Sequence, residues 1–416
     1  MSHAPLTTTR LPLLLLLLSP LSLAAQERLI SRHALAGGAS FETLTFGSGG
    51  ITQYAFAGTD SVRVMSVRQV TIPITAITPL GAGWRLDVTT LYANGRVDYE
   101  DGDAAGVEHS ASLSGLSDVR LRATGRVLND ALTLTVGVNA PTGRTTLRPG
   151  EFSALRVLAA PALGMGSSPV GAGASGTVGA VYGRQIGLWA MAFGASYEHR
   201  GRFQPVAALV AGAPSSDFEP GAVVRASVGA DRTLGAHRLS VAASADVFAE
   251  DRLRPSADTA GGSNESRSSA TVRLGPVLAG DAQLFLASSR FRELIVYTSY
   301  LWRSAFARDG RTETGSSGQY LAGGVRAALP LSARSDLVFA TDGRWHSGLG
   351  VDQGLPTAGV RAANVSVGLD ARRGLLSVQP YLRAQAGTLR QRGSETPVTN
   401  KSFAGIAGGL VLVTRF

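Results

Sequence analysis

The chain has 416 residues, 51 of them glycine, no cysteine, and a formal net charge of +9. The missing cysteines exclude a disulfide scaffold, a lipid-modified N-terminus and a thiolate metal site, and they suit passage through an oxidising compartment. The basic residues stand singly rather than in blocks, with Lys401 the single lysine. That spacing argues against a nucleic-acid partner and leaves an anionic membrane leaflet as the expected neighbour.

Met1 to about Ala25 reads as a cleavable signal peptide. Arg10 supplies the positive start, Leu11–Leu18 is an apolar run broken only by Pro12, and Ser22-Leu23-Ala24 or Leu23-Ala24-Ala25 offers a cleavage site. The run is too short for a membrane helix, which needs about 20 apolar residues. Removing Arg10 with the leader lowers the net charge by one, from +9 to +8. A short periplasmic segment, 26–35, should precede a single barrel domain over 36–416. No later run of apolar residues is long enough for a membrane helix.

After the leader the apolar period is two. Val119, Leu121, Ala123, Gly125 and Val127 alternate with Asp118, Arg120, Arg122, Thr124 and Arg126. Leu132–Val138, Val224–Ala230, Leu239–Val247 and Val365–Leu369 behave the same way. One face is apolar and small while the other carries charge or hydroxyl, the pattern of a lipid-exposed strand. Connections alternate as well. Short ones fall near Pro79–Gly83, Leu128–Ala131, Gln185–Gly187, Leu234–Ala236, Ala279–Asp281, Leu331–Arg334 and Ala371–Gly374. Long ones fall near 48–60, 98–116, 141–171, 200–219, 250–266, 308–317, 347–357 and 390–401. Outer-membrane barrels have short periplasmic turns and long external loops. An open edge in hydrocarbon would strand backbone N–H and C=O groups, so the sheet must close.

The expected fold is therefore all-β, a transmembrane antiparallel up-and-down barrel of 14 to 16 strands. The count hinges on 282–307, which is too long for one strand; a turn at Ser288–Arg292 would upset the parity. Trp84, Tyr99, Trp189, Tyr197, Phe248, Trp302, Phe306 and Trp345 lie near expected strand ends and suggest interfacial girdles. With the apolar face toward lipid, the expected lumen-lining residues are Arg120, Arg122, Arg126, Arg225, Arg238, Arg273, Asp118, Asp231, Asp246 and Asp370. A charge turned outward at mid-membrane would cost about 2–4 kcal/mol. Excess arginine could favour anionic or amphipathic solutes, or the arginines could pair with the acids and fill the barrel.

Ser61–Pro79 with the following Leu80-Gly81-Ala82-Gly83-Trp84-Arg85-Leu86, then Gly115-Leu116-Ser117-Asp118-Val119, then Asn139-Ala140-Pro141-Thr142-Gly143, resemble the meta-pathway phenol-degradation family of outer-membrane proteins. Ser117 stands where that family has a second glycine. The resemblance implies a transporter-like barrel for passive uptake of small hydrophobic or aromatic solutes. Its fold is related to the barrels that pass long-chain fatty acids. Read on its own, Pro-Thr-Gly stops a strand and turns the chain into an external loop.

No histidine pair has metal-ligand spacing, so neither metal nor cofactor is expected. Asp342, His346 and Ser347 are the one grouping that invites a catalytic triad. In a strand, 342 and 346 would stand about 13 Å apart and Ser347 would face the other way. Enzyme activity is not expected. The end of the chain, with Leu410, Leu412 and Phe416 in step, resembles the signal read by the outer-membrane barrel-assembly machinery. The expected setting is the outer membrane of a diderm bacterium, with outer-membrane lipid, that machinery and a small-molecule solute as partners. The alternative reading is a structural or surface-interaction barrel whose external loops, 250–266 and 308–317, bind partners; a barrel hydrolase is the least favoured.

Overall fold

A computed structural model describes residues 33–56, 59–81, 83–101, 107–160, 163–165, 170–205, 216–255, 270–347, 357–391 and 399–415. The leader and Phe416 lie outside them. In chain order the strands are β1 (Ala34–Phe46), β2 (Ile51–Phe56), β3 (Thr59–Gly81), β4 (Trp84–Asp101), β5 (Glu108–Leu116), β6 (Val119–Val127) and β7 (Leu132–Ala140). A helix, α1 (Pro149–Leu158), follows, and then β8 (Ser175–Ile186), β9 (Trp189–Arg200), β10 (Ser216–Glu219), β11 (Val223–Leu234), β12 (His237–Phe248), β13 (Asp251–Pro255) and β14 (Ala270–Arg273). The rest are β15 (Val277–Phe285), β16 (Glu293–Arg303), β17 (Ala307–Arg308), β18 (Arg311–Thr312), β19 (Gly318–Ser332), β20 (Ser335–Ser347), β21 (Thr357–Arg373), β22 (Leu376–Gln391) and β23 (Thr399–Arg415).

Every pairing is antiparallel, and β1 pairs with β23, so the wall closes without an edge. β5 and β6 together make one crossing: both pair with β4, β5 against its outer end and β6 against its inner end. Ser117 bridges the break between them, its N–H donating to Leu91 O at 2.7 Å and its Oγ accepting from Leu91 N at 3.0 Å. Counting β5/β6 once, and leaving out β2, which pairs only with the outer end of β3, the wall has sixteen strands. β10, β13, β14, β17 and β18 form a separate small sheet in the external loops.

The alternation of short and long connections holds with two departures; of the long connection expected over 98–116, 98–101 continue β4 and 108–116 form β5. The turn expected at Ala279–Asp281 lies inside β15, and the chain turns instead at 286–292. The parity survives because the preceding alternating stretch is not wall: Ala270–Arg273 belongs to the external sheet. A four-residue external strand alternates just as a wall strand does, so the pattern could not separate them.

The outward face is apolar and exposed. Leu35 and Phe41 on β1, Val70, Ile72 and Ile74 on β3, Val136 and Val138 on β7, Val365 and Val367 on β21, and Ile406, Leu410 and Leu412 on β23 all point away from the interior. No surface of a water-soluble protein carries such a belt; hydrocarbon is its natural contact. The four tryptophans are on this face. Trp84 and Trp189 mark the short-turn end, and Trp302 and Trp345 the long-loop end. Trp84 lies flat over Gly125, where a Cβ would come within 2.2 Å of the indole ring. Arg232 sits 5.4 Å over the Trp189 ring. Tyr99 and Phe248 depart from the girdle expectation: both are on the inner face, and Phe306 is buried in the external loops. A closed antiparallel barrel with this exterior is an outer-membrane protein.

Candidate functional site

The interior is not an empty tube. Between β7 and β8, residues 141–160, 163–165 and 170–174 turn inward rather than outward and carry α1 into the lumen. Pro149 opens the helix at its first turn, where a missing N–H is harmless. Glu151 reaches back to accept from Arg148 N at 2.9 Å, and Arg144 pairs with the same carboxylate at 3.1 Å. Ala154, Val157 and Leu158 are then fully buried on one side of the helix. They share one core with Leu44, Val67, Val97 and Leu113 on the inner faces of β1, β3, β4 and β5. Val360, Leu389 and Phe403 from β21, β22 and β23 complete the core. Inward apolar residues at the outer end of these strands thus serve as a footing for the helix.

Beyond α1 the segment reaches the far wall. Arg344 on β20 donates from Nη2 to Leu163 O at 2.8 Å. β20 is eight wall strands from β7, half of the sixteen, so the inward segment spans a full diameter.

Its base is held by Asp118, in the break between β5 and β6. The carboxylate accepts from Gly143 N at 2.9 Å, Ala172 N at 2.7 Å and Asn139 Nδ2 at 2.9 Å. Thr142 Oγ1 accepts from Val119 N at 2.9 Å beside it. The two short sequences singled out above, Gly115–Val119 and Asn139–Gly143, therefore meet as the clasp that closes both ends of the inward segment. Gly171 completes it: a Cβ there would stand 2.5 Å from Asp118 Oδ1.

The remaining sequence-derived candidates distribute along the wall. Arg120, Arg122 and Arg126 share the inner face of β6, with Arg85 and Asp87 opposite on β4. Arg122 pairs with Asp87 at 3.3 Å, and Arg126 approaches Asp130 at 3.9 Å. Arg120 has no ion pair among the described residues. Arg225 and Asp246 sit directly opposite one another on β11 and β12 and make two parallel bonds of 2.6 Å. Asp231 pairs with Arg238 at 3.0 Å near the short-turn end. Asp370 faces Asp336 and is held by Arg372 and Ser377. These pairs run along the wall between neighbouring strands, so they line the lumen without crossing it. Arg273 is not in the wall; it is exposed on β14 in the external sheet. Asp342 and His346 are on the inner face of β20, where Asp342 accepts from Asn364 at 2.6 Å. Ser347 faces outward and accepts from Gln319 N. The triad geometry is absent.

Outside the membrane, Asp251 ties the external sheet to the rim. It is 3 % exposed, accepts from Gly221 N at 2.6 Å, and pairs with Arg200 at 3.1 Å. Burial outweighs both partners and pushes its carboxyl above the ordinary range. A raised folded value means that the folded sheet binds the proton more tightly than the opened one. Its stability should therefore rise as pH falls through the raised value and level off below the unfolded value of about 3.9. Hydrogen exchange at β13, corrected for intrinsic rate, should be slower at acidic than at neutral pH in the native chain. Asp251→Asn should remove the difference; a native chain with no pH dependence would contradict the argument.

No family model matches this chain, and no curated protein sequence matches it. Among solved structures, it is similar to OprB of Pseudomonas putida at high pH (13 % identity, TM-score 0.46, covering 94 % of this chain and 96 % of that one). It is similar to a FadL homologue of Pseudomonas aeruginosa (10 %, TM-score 0.41, 92 % and 90 %). A third is an outer membrane channel from Pseudomonas putida F1 (12 %, TM-score 0.34, 92 % and 96 %). With scores below 0.5, they assign no activity or solute to this chain.

Proposed function

We propose that this protein is an outer-membrane channel for passive uptake of small solutes, in which the inward segment narrows one side of the lumen and leaves a passage along the other. The observation that carries the reading is the division of the inner wall. The arc from β21 round to β5 is covered by α1 and its apolar footing. The opposite arc, β8 to β16, presents Ser196, Ser227, Ser244 and Ser299 with Gly194 and Gly229. Small residues there leave room, and Ser227 is exposed although it faces inward.

Purified protein in planar bilayers should give discrete conductance steps and, in proteoliposomes, solute flux. A silent barrel would overturn the proposal. The likeness at Ser61–Leu86, Gly115–Val119 and Asn139–Gly143 favours hydrophobic or aromatic solutes, and comparing flux of a phenol, a sugar and a benzoate of similar size tests that preference.

Arg120 is an inner-wall charge with no ion pair among the described residues, and its reversal should bias permeation. Arg120→Glu changes the local charge by two; at about 10 Å in water this is worth about 0.8 kcal/mol to a monovalent ion, roughly fourfold in its local concentration. The reversal potential in a salt gradient should move toward cations. An unchanged potential would place Arg120 off the path.

A second reading, a barrel whose external loops bind a partner, draws support from the ordered five-stranded sheet that those loops form. Deleting 256–269 should abolish such binding while leaving conductance intact.

A further inference from the structure

On the lipid side of β19 to β22, Gly323, Gly343, Ala363 and Ala386 pair in a single row across four strands. With almost no side chains along the row, the outer wall sinks into a groove of about 590 Å³. Trp345 and Arg361, directly opposite one another, form its lip toward the long loops. Arg390 stands just beyond on β22 and also points outward.

Three other outward arginines at this margin are neutralised within the chain. Arg63 pairs with Glu100 at 2.7 Å, and Arg68 and Arg96 share Asp98 at 2.6 and 2.7 Å. Arg361 and Arg390 have no carboxylate partner among the described residues. An anion from outside the chain can supply their counter-charge. Two guanidiniums above an apolar trough are complementary to an anionic head joined to hydrocarbon. A second copy of this barrel fits less well, because a two-fold contact through the groove would bring the same arginines together.

We propose that this groove binds an acylated, phosphate-bearing glycolipid of the outer leaflet. Arg361 and Arg390 take the phosphate, an acyl chain lies along Gly323–Ala386, and Trp345 sits at the boundary between them. The site is on the outside of the wall and does not depend on what passes through the lumen.

The test uses full-length protein stripped of lipid in mild detergent. It is titrated with the phosphorylated glycolipid or its enzymatically dephosphorylated form and read by native mass spectrometry. The native barrel should retain the phosphorylated lipid, and Arg361→Ala with Arg390→Ala should weaken retention by about tenfold, the worth of a charge-assisted bond. The dephosphorylated lipid should bind as weakly to the native protein, a comparison that needs no variant. Gly343→Leu should weaken both lipids by filling the groove, and a Cβ there meets nothing nearer than Ala362 O at 3.8 Å, so the wall tolerates it. Arg232→Ala, at the opposite rim, should change nothing. Equal binding of the two lipids, or undiminished binding by the double variant, overturns the proposal. So does a native dimer that Gly343→Leu dissociates while lipid binding stays the same.

Discussion

Asp118→Ala should release the base of the inward segment and raise the conductance of the barrel. The carboxylate is 4 % exposed and holds three donors, two of them backbone N–H groups at opposite ends of the segment. Leaving a buried donor unpaired costs about 1–3 kcal/mol, and water from the lumen will recover part of it. A net loss of about 3 kcal/mol would raise the population of the detached base by roughly a hundredfold. The barrel itself should persist, because neighbouring ladders do not pass through Asp118. The measurements are single-channel conductance and protease cleavage within 141–173. Both should increase, while the heat-dependent gel mobility of a folded barrel stays native. Asp118→Asn should fall between the two: it keeps one acceptor oxygen but turns an N–H₂ toward backbone donors. Native conductance together with native protease resistance in the alanine variant would show that the clasp does not hold the segment.

The clasp also marks how far the sequence could be read. The wall is legible because lipid outside and water within impose a two-residue period on most of its crossings. The period also gave the inner face to Arg122, Arg225, Asp231 and Asp246. It could not show that Arg225 meets Asp246 or that Arg238 meets Asp231, because pairing depends on register, which one strand alone does not carry. The same period groups Asp118 with the lumen-lining residues beside it. Its position in a strand break, facing Gly143 and Ala172, follows from the return of a distant segment. The helix was hidden by its setting, since 141–171 looked like an external connection. Its signals were present nonetheless: Pro149 followed two residues later by Glu151, then apolar residues at 152, 154, 155, 157 and 158. The inward apolar residues Leu44, Val67, Val97 and Leu113 gave a second signal. They break the rule that a wet interior is polar, and their reason is the helix packed against them.

That packing makes Gly95 a sensitive position on the inner wall. It lies on β4 beneath α1, and a Cβ there would come within 2.4 Å of Leu158 Cδ1 and 2.9 Å of Cδ2. Leu158 is fully buried and enclosed by the same core, so it has little room to retreat. Gly95→Val should therefore displace α1 from its footing. Leu158→Ala should weaken docking by about 2–5 kcal/mol through the opposite defect, a cavity. The two lesions are complementary, so Gly95→Ala should be harmful in the native background and close to neutral when Leu158 is already alanine. The coupling should be about 1–3 kcal/mol. Because the chain has no cysteine, Val157→Cys supplies a single thiol whose labelling rate reports directly on undocking. Gly95→Val should speed labelling and enlarge the conductance step together, since both measure the same movement. Faster labelling with an unchanged step would mean that α1 leaves its seat without widening the passage, and the narrowing role given to it would be wrong.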